Sequence, residues 1–273
     1  MVLLCLLIGL HINTVSLRIP YGPETIGVLV ENEMPPIGPY GFTVDHMGSL
    51  IIPDPVNGDV KRIDRDGKIS SIVPLKGYFD DIEVDPSGKI LILDRSRSLI
   101  IYLDPSSPKA QELELDPQTV ITPTKFFKWK GNIYLNNIDF PHLIDPQTKS
   151  GVLPKPLHID LSEENLQITP VQEKGVPEEK INLTVRNLLS AEFLGQDKDG
   201  NYYIQVEKAR SETSVELSVL VVDPEGKIIE AIDIPRNDYF VWTSRLLYLD
   251  EKGNIYQVLP ASDAIYINIW EVK

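Results

Sequence analysis

Three oxygen-bearing side chains recur at one position of a repeated sequence unit, namely Asp54, Asp94 and Asn137. Carboxylate and amide oxygens are the ligands that a hard cation prefers, so these three side chains would suit such an ion if they converge. Two later copies of the unit carry Val206 and Leu259 at this position, so the set is incomplete. An aspartate that ends a strand also has a purely structural explanation, and we expect no cofactor.

A second group of residues has the composition of a recognition surface, in which aromatic and arginine side chains lie beside carboxylates. These residues fall in segments that the repeat assigns to loops, where binding residues of rigid folds tend to lie. The predicted ligand- or partner-binding residues are Tyr40, Asn57, Tyr78, Phe79, Asp80, Asp81, Arg95, Arg97, Asp238, Tyr239, Trp242 and Arg245. The alternative for the aromatic members is that they fill gaps between structural units.

Other chemistry is not indicated, and we predict no catalytic residue. The four histidines have no metal-ligand spacing, and the chain contains no Gly-rich phosphate loop, nucleophile elbow or His-Glu-x-x-His pattern. A net charge of −14 repels phosphate backbones, which argues against nucleic-acid binding. Cys5 is the only cysteine, so an internal disulfide is impossible.

The elements that would position these residues are short strands in a repeat. Residues 42–54 and 82–94 share an Asp three residues before a Gly, with apolar runs on both sides. Further copies can be placed around Gly131, Gly200 and Gly253. Self-similarity at a period of roughly 40 residues with several strands in each unit is typical of a β-propeller. The Asp and Gly suit tight turns, so we assign them structural roles.

The repeat predicts one all-β propeller domain over residues 21–273. Its blade copies are placed at about 38–75, 78–115, 122–155, 190–234 and 243–273. The segment 153–186 is either a degenerate blade or an insertion. We favour six blades over five because long loops without structure are uncommon in compact domains.

The N-terminal region carries two expectations. Residues 1–20 resemble a signal or anchor segment, because the apolar run at 1–10 is too short to span a bilayer and has the length of a signal core. The last blade lacks a fourth strand, and residues 25–30 are apolar and otherwise unassigned. We therefore expect this N-terminal strand to pair with the C-terminal blade and close the ring, which would hide both strand edges.

The best-preserved copies resemble NHL repeats of the six-bladed propeller class. The resemblance rests on the Val-Asp-x-x-Gly core of residues 38–104, and most closely on residues 38–45 together with 54–57. It implies a scaffold for binding, since enzymes are a minority in that class. Six-bladed propellers of the gluconolactonase type hold a Ca²⁺ or Zn²⁺ ion at the axis, and Asp54, Asp94 and Asn137 are the residues that could mimic that set.

Together these patterns predict a non-enzymatic binding or scaffold propeller that presents a loop face to a protein, a small molecule or a carbohydrate. The alternatives are a metal-dependent lactonase-like hydrolase and a structural module of an envelope assembly. We expect an exported monomer without a transmembrane span, located in the periplasm, on the cell surface or outside the cell. A cytoplasmic location is the alternative if residues 1–20 are not a signal.

Overall fold

A computed structural model describes most of the chain, and its strands form six antiparallel sheets. The residues described are 12–31, 34–77, 79–107, 110–115, 125–129, 132–136, 141–143, 151–152, 157–162, 165–170, 181–211, 213–236, 240–241 and 243–272. Within these ranges no helix is long and apolar enough to cross a bilayer.

The strands of each sheet follow one another in the chain, with one exception in the last sheet. Sheet 1 contains β2 (Thr43–Val44), β3 (Leu50–Asp54), β4 (Asp59–Ile63) and β5 (Ile69–Pro74). Sheet 2 contains β6 (Asp81–Val84), β7 (Ile90–Asp94), β8 (Leu99–Leu103) and β9 (Gln111–Glu114). Sheet 3 contains β10 (Lys125–Trp129), β11 (Asn132–Asn136), β12 (Pro141–Leu143) and β13 (Gly151–Val152).

The segment that the sequence leaves open between a blade and an insertion contains strands. Sheet 4 consists of β14 (Leu157–Ser162), β15 (Asn165–Pro170) and β16 (Ile181–Thr184). Sheet 5 contains β17 (Leu188–Gln196), β18 (Tyr202–Ser211), β19 (Ser214–Val222) and β20 (Ile228–Ile234). Sheet 6 contains β21 (Leu247–Leu249), β22 (Ile255–Pro260), β23 (Ala264–Val272) and the N-terminal strand β1 (Ile12–Pro20).

The N-terminal strand that pairs with β23 is not the predicted one. β1 runs antiparallel to β23 from Ile12 opposite Val272 to Pro20 opposite Ala264. Residues 25–30 take part only in the isolated bridges Tyr21–Ile26 and Leu29–Ile37, so assigning the strand to them was wrong. The alternation of apolar and polar residues in 12–20 is typical of a strand with one covered side. These residues lie within the segment 1–20 that resembles a signal or anchor, so the strand was missed.

The hydrophobic core lies between successive sheets. Separate clusters of buried apolar side chains join sheet 6 to 1, 1 to 2, 2 to 3, 4 to 5, and 5 to 6. The inner strands read as continuous apolar runs because both of their faces are covered, as in Ile90–Asp94. This packing places β2, β6, β10, β17 and β21, the first strands of their sheets, next to one another.

The repeated Asp and Gly form the turns after these first strands. In the first copy, Oδ1 of Asp45 accepts hydrogen bonds from the amides of Met47 and Ser49, and Gly48 has a φ of 83°. Equivalent bonds hold Asp85, Asp197 and Asp250. The structural role expected of these aspartates is therefore confirmed.

Because successive strands run in opposite directions, the connections between them alternate between two faces of the protein. In sheets 1, 2, 5 and 6 the turns between the first and second strands lie on one face, which we call the turn face, and so do the turns between the third and fourth strands of sheets 1 and 5. Connections between the second and third strands of these four sheets, and the segments that lead into β2, β6 and β21, lie on the opposite face, which we call the loop face. The predicted recognition residues within the described part of the chain belong to connections on the loop face, except Asp81, which begins β6.

Candidate functional site

A buried ionic cluster joins the first strands of the sheets. Arg245 precedes β21 and is 5% exposed, and its Nη2 lies 2.8 Å from Oδ2 of Asp81. Its Nη1 lies 3.2 Å from Oε2 of Glu83. Asp81 and Glu83 are each 1% exposed, on the first strand of sheet 2. One guanidinium thus links two carboxylates of a different sheet.

Neighbouring strands complete the cluster, which we call the axial cluster and define as Thr43, Asp81, Glu83, Arg245 and Tyr248. Oε1 of Glu83 accepts hydrogen bonds from the hydroxyls of Thr43 at 2.5 Å and Tyr248 at 3.1 Å. The Phe126 backbone takes part as well, because its amide donates to Asp81 at 2.7 Å and its carbonyl accepts from Arg245 at 2.8 Å. Sheets 1, 2, 3 and 6 therefore meet at this point.

The charges of the axial cluster shift one another's pKa. Burial raises the pKa of the Asp81 carboxyl above its ordinary value, and the Arg245 charge opposes that rise. Burial acts to lower the pKa of Arg245, but the charges of Asp81 and Glu83 outweigh it and raise that pKa. Burial and the Glu83 charge raise the pKa of Tyr248 well above its ordinary value. Arg245 and Tyr248 therefore keep their protons at neutral pH.

Most polar atoms of the axial cluster are hydrogen-bonded within the protein. Its guanidinium, its tyrosine hydroxyl and three of its four carboxylate oxygens are bonded to neighbouring strands. The fourth, Oδ1 of Asp81, is buried and accepts no hydrogen bond from the described residues. Because these groups bond to one another across sheets 1, 2, 3 and 6, the cluster acts as a link between sheets.

A cavity of about 570 Å³ opens on the turn face beside the axial cluster, and we call it the turn-face cavity. Tyr248 belongs to the cluster and also lines the cavity, together with the apolar side chains Val44, Val84, Leu194 and Leu249. Charged residues of the turns, including Lys128 and Glu251, surround this apolar part. A volume in this range suits a small organic ligand.

Three of the predicted recognition residues are buried. Arg245 and Asp81 belong to the axial cluster, and their mutual ion pair explains why charged side chains can lie inside. Phe79 packs in the core between sheets 1 and 2, which is the gap-filling alternative considered for the aromatic residues. These three side chains are therefore not available for contact on the exposed loop face.

The remaining described members do lie in loop-face connections. Asp80 accepts a hydrogen bond from the Arg95 amide, and the two side chains lie 3.6 Å apart. Asn57 donates to the Gly22 carbonyl, and the Tyr40 carbonyl accepts from Ser244. Arg97 has a half-exposed side chain and pairs with Asp94. Four further predicted residues lie outside the described part of the chain, namely Tyr78, Asp238, Tyr239 and Trp242.

Two members of the predicted metal-ligand set, Asp54 and Asp94, accept hydrogen bonds from their own loops. Asp54 is fully buried and accepts hydrogen bonds from the Gly27 amide and from the amide and side chain of Asn57. Asp94 is held in the same way by Ser96 and Arg97. Asn137 lies outside the described residues, within which no group of three His, Cys, Asp or Glu side chains is placed to hold a metal. Asp54 and Asp94 cap their own loops.

Sequence reasoning missed Glu83, Tyr248 and the residues of the turn-face cavity. A signal for Glu83 exists, because a charged residue between Ile82 and Val84 in an inner strand has to be paired. No comparable signal marks Lys128 and Glu251, which belong to different sheets and become neighbours only through the fold.

Comparison with protein-family models and with curated proteins finds no match. Solved structures do match. A member of the DUF4221 family from Bacteroides vulgatus aligns with a TM-score of 0.61 and 13% identity, over 96% of this chain and 98% of that one. Virginiamycin B lyase from Staphylococcus aureus aligns with a TM-score of 0.52 and 12% identity, over 96% and 100%. Regucalcin from Agrobacterium tumefaciens, a calcium-binding protein, aligns with a TM-score of 0.51 and 12% identity, over 86% and 90%. At these identities the likeness shows the fold alone, and the chain is an all-β propeller.

Proposed function

We propose that this protein is a binding propeller without enzymatic activity. The observation that carries this proposal is the pairing within the axial cluster. Its ionisable groups lie where the first strands meet, and their polar atoms are hydrogen-bonded to one another and to neighbouring strands. A catalytic acid or base needs an available lone pair or proton and a pKa close to the working pH. The pKa values of Arg245 and Tyr248 are raised, so both side chains keep their protons at neutral pH.

The proposal includes six blades in one ring, closed by β1. Its support is the six sheets, the pairing of β1 with β23, and the apolar cluster that joins sheet 6 to sheet 1. The NHL-like character of residues 38–104 belongs to the same proposal. So do an exported location, a monomeric state and a signal or anchor role for the segment before β1.

The loop face remains the proposed surface for a protein partner. Asp80, Arg95 and Arg97 carry it within the described residues, since their side chains are partly exposed and of opposite charge. Their hydrogen bonds to neighbouring loops hold them in place, which lowers the entropy lost on binding.

A metal-dependent lactonase is the rival. What favours it is the likeness in fold to regucalcin, which is described as calcium-binding. Against it stand the loop hydrogen bonds that occupy Asp54 and Asp94. The rival requires a tightly held ion and hydrolysis of a lactone, and the binding propeller requires neither.

The test combines metal analysis with partner capture. Purified protein is analysed for calcium and zinc and is assayed for lactone hydrolysis with each ion added. The protein then serves as bait for an envelope fraction, beside Asp80→Ala/Arg97→Ala and a turn-face control, Lys68→Ala/Lys227→Ala. We expect less than stoichiometric metal, no hydrolysis, and capture that only the loop-face variant loses. A stoichiometric ion together with lactone turnover would reverse the assignment.

A further inference from the structure

The turn-face cavity carries an ion pair between two sheets that are not neighbours in the chain. Nζ of Lys128, on β10 of sheet 3, lies 3.3 Å from Oε1 of Glu251, in the turn after β21 of sheet 6. Both residues line the cavity. The Lys128 side chain is 21% exposed and that of Glu251 is 77% exposed, so the pair lies at the solvent side of the cavity.

Most other carboxylates of the cavity are already engaged. Both oxygens of Asp250 and of Asp197 accept hydrogen bonds from their own turns and from a tyrosine hydroxyl. Asp45 is held by turn amides and by an ion pair with Arg62. Lys128 and Glu251 pair with each other across two sheets, and an exposed pair of this kind contributes little stability. A ligand can therefore separate this pair at small cost.

The chemistry of the cavity selects a ligand that bears both signs of charge. A ligand with only an ammonium group would satisfy Glu251 and leave Lys128 without its partner. A ligand with only a carboxylate would do the reverse. A zwitterion replaces each half of the ion pair with an opposite charge, and both protein charges stay paired.

The apolar part of the cavity defines the body of that ligand. Val44, Val84, Leu194, Leu249 and Tyr248 line it, and burying an apolar side chain there supplies binding free energy without further polar contacts. We infer that the turn-face cavity binds a small zwitterion with an apolar side chain, of the class of α-amino acids and dipeptides. This inference rests on the proposed binding function and names the ligand class of one surface.

Blocked derivatives of one amino acid test the inference. Calorimetric titration would compare L-leucine and leucyl-leucine with N-acetylleucine, which keeps only the carboxylate, and with leucinamide, which keeps only the ammonium. Glucose serves as the uncharged probe. We expect at least one of the two zwitterions to bind at least tenfold more tightly than any of these three probes. Equal binding of a blocked form, tighter binding of glucose, or no binding of either zwitterion would overturn the inference.

Charge reversal provides the matched variants. Lys128→Glu and Glu251→Lys each replace the ion pair with two like charges, so each should lose at least tenfold in zwitterion affinity. The double swap K128E/E251K restores one charge of each sign and should bind within about threefold of the native protein. Lys68→Glu changes an exposed lysine that does not line the cavity, and affinity should stay unchanged. A double swap as weak as the single variants would contradict the inference.

Failure of the inference and failure of the proposed function are distinguishable. If neither zwitterion binds while the loop-face capture still succeeds, the cavity assignment falls and the binding propeller stands. An amine assay of the titrated sample will show whether leucyl-leucine is hydrolysed to leucine. If it is hydrolysed, both the cavity assignment and the non-enzymatic function are wrong.

Discussion

Arg245 is the residue on which the inner strands depend most directly. It is the only described cation in contact with the buried carboxylates of Asp81 and Glu83, and it also donates to the carbonyl of Phe126. A buried carboxylate without a partner carries a large desolvation cost, which neighbouring apolar side chains cannot offset. The packing of sheets 1, 2, 3 and 6 at the axial cluster therefore depends on the Arg245 side chain.

Replacing Arg245 should destabilise the protein strongly. Arg245→Met keeps the length of the side chain and leaves two buried carboxylates unpaired, so we expect a loss of about 3–5 kcal/mol in the free energy of unfolding. Arg236→Met is the matched control, since Arg236 forms an exposed ion pair with Glu207 and should cost about 0–1 kcal/mol. Urea unfolding measures both. Equal losses would show that burial does not govern these pairs.

Asp81 should make stability depend on pH in the direction opposite to that of most carboxylates. Its folded pKa is raised by burial, so its contribution is greatest below the ordinary pKa of 3.8 and declines as the pH rises through the raised value. The stability difference between the native protein and Asp81→Asn should therefore fall as the pH increases from that region upward.

Asp104 offers a control of opposite sign for the pH experiment. Hydrogen bonds from Ser106 lower its folded pKa, so its contribution is present above the ordinary pKa and is lost as the pH falls through the lowered value. The difference between the native protein and Asp104→Asn should rise with pH. Urea midpoints measured across the acidic range give both curves, and parallel curves would contradict the assignment for Asp81.

At the scale of elements, the turns after the first strands also connect neighbouring sheets. Tyr203 of sheet 5 donates its hydroxyl to Asp197 and lies against Gly253, the turn glycine of sheet 6. Tyr256 of sheet 6 bonds to Asp250 in the same way and lies near Gly48 of sheet 1. Burial and the Asp250 charge raise the pKa of Tyr256 to about 12, so it remains a donor at neutral pH.

Two glycines with the same backbone conformation should tolerate alanine differently. Gly253 and Gly88 have φ values of 83° and 86°, so alanine is strained at both by about 1–2 kcal/mol. A Cβ at Gly253 would lie 2.6 Å from the Tyr203 hydroxyl, whereas a Cβ at Gly88 meets nothing within 4 Å. Gly253→Ala should therefore cost about 1–3 kcal/mol more than Gly88→Ala.

The Tyr203→Phe background isolates the steric part of that difference. Removing the hydroxyl should bring the cost of Gly253→Ala close to that of Gly88→Ala, as measured by chemical unfolding of five proteins: the native chain, the two glycine variants, Tyr203→Phe and Y203F/G253A. An unchanged excess in this background would mean that the close contact is not its cause.

Particular residues show how far the sequence alone reaches. The strands around Gly48 and Gly88 and the turn aspartates follow from local rules, because turn chemistry and apolar runs are visible over a few neighbours. The burial of Arg245 does not, since its partners Asp81 and Glu83 lie 164 and 162 positions away. Phe79 was open to two interpretations for the same reason. Its loop position was readable, but its packing partners between sheets 1 and 2 come from the fold.

At the scale of the whole molecule, β1 should be essential for stability. It covers β23, whose residues Ile265, Ile267 and Ile269 are almost fully buried, and it contributes the buried Ile19. A chain that begins at residue 21 would expose this strand edge and lose the apolar cover. We expect a large drop in the unfolding midpoint, or aggregation, relative to a chain that begins at residue 12.

A peptide of residues 12–20 added in trans tests that expectation more sharply. It should raise the midpoint of the shortened chain, because it can occupy the free edge of β23, and a peptide of the same composition in scrambled order should not. A shortened chain that unfolds at the native midpoint would show that β1 does not support the ring.

The pairing of β1 with β23 also sets an order of events during protein synthesis. Asn13 and Glu271, which face each other in this pair, are 258 positions apart. At about 5–20 residues per second, a ribosome needs roughly 13–50 s to deliver the second after the first. Sheet 6 therefore cannot be completed until residue 272 has left the ribosome, and β1 stays without its partner β23 until then. That interval keeps the chain incompletely folded, which is the state that a translocation channel or a chaperone could receive.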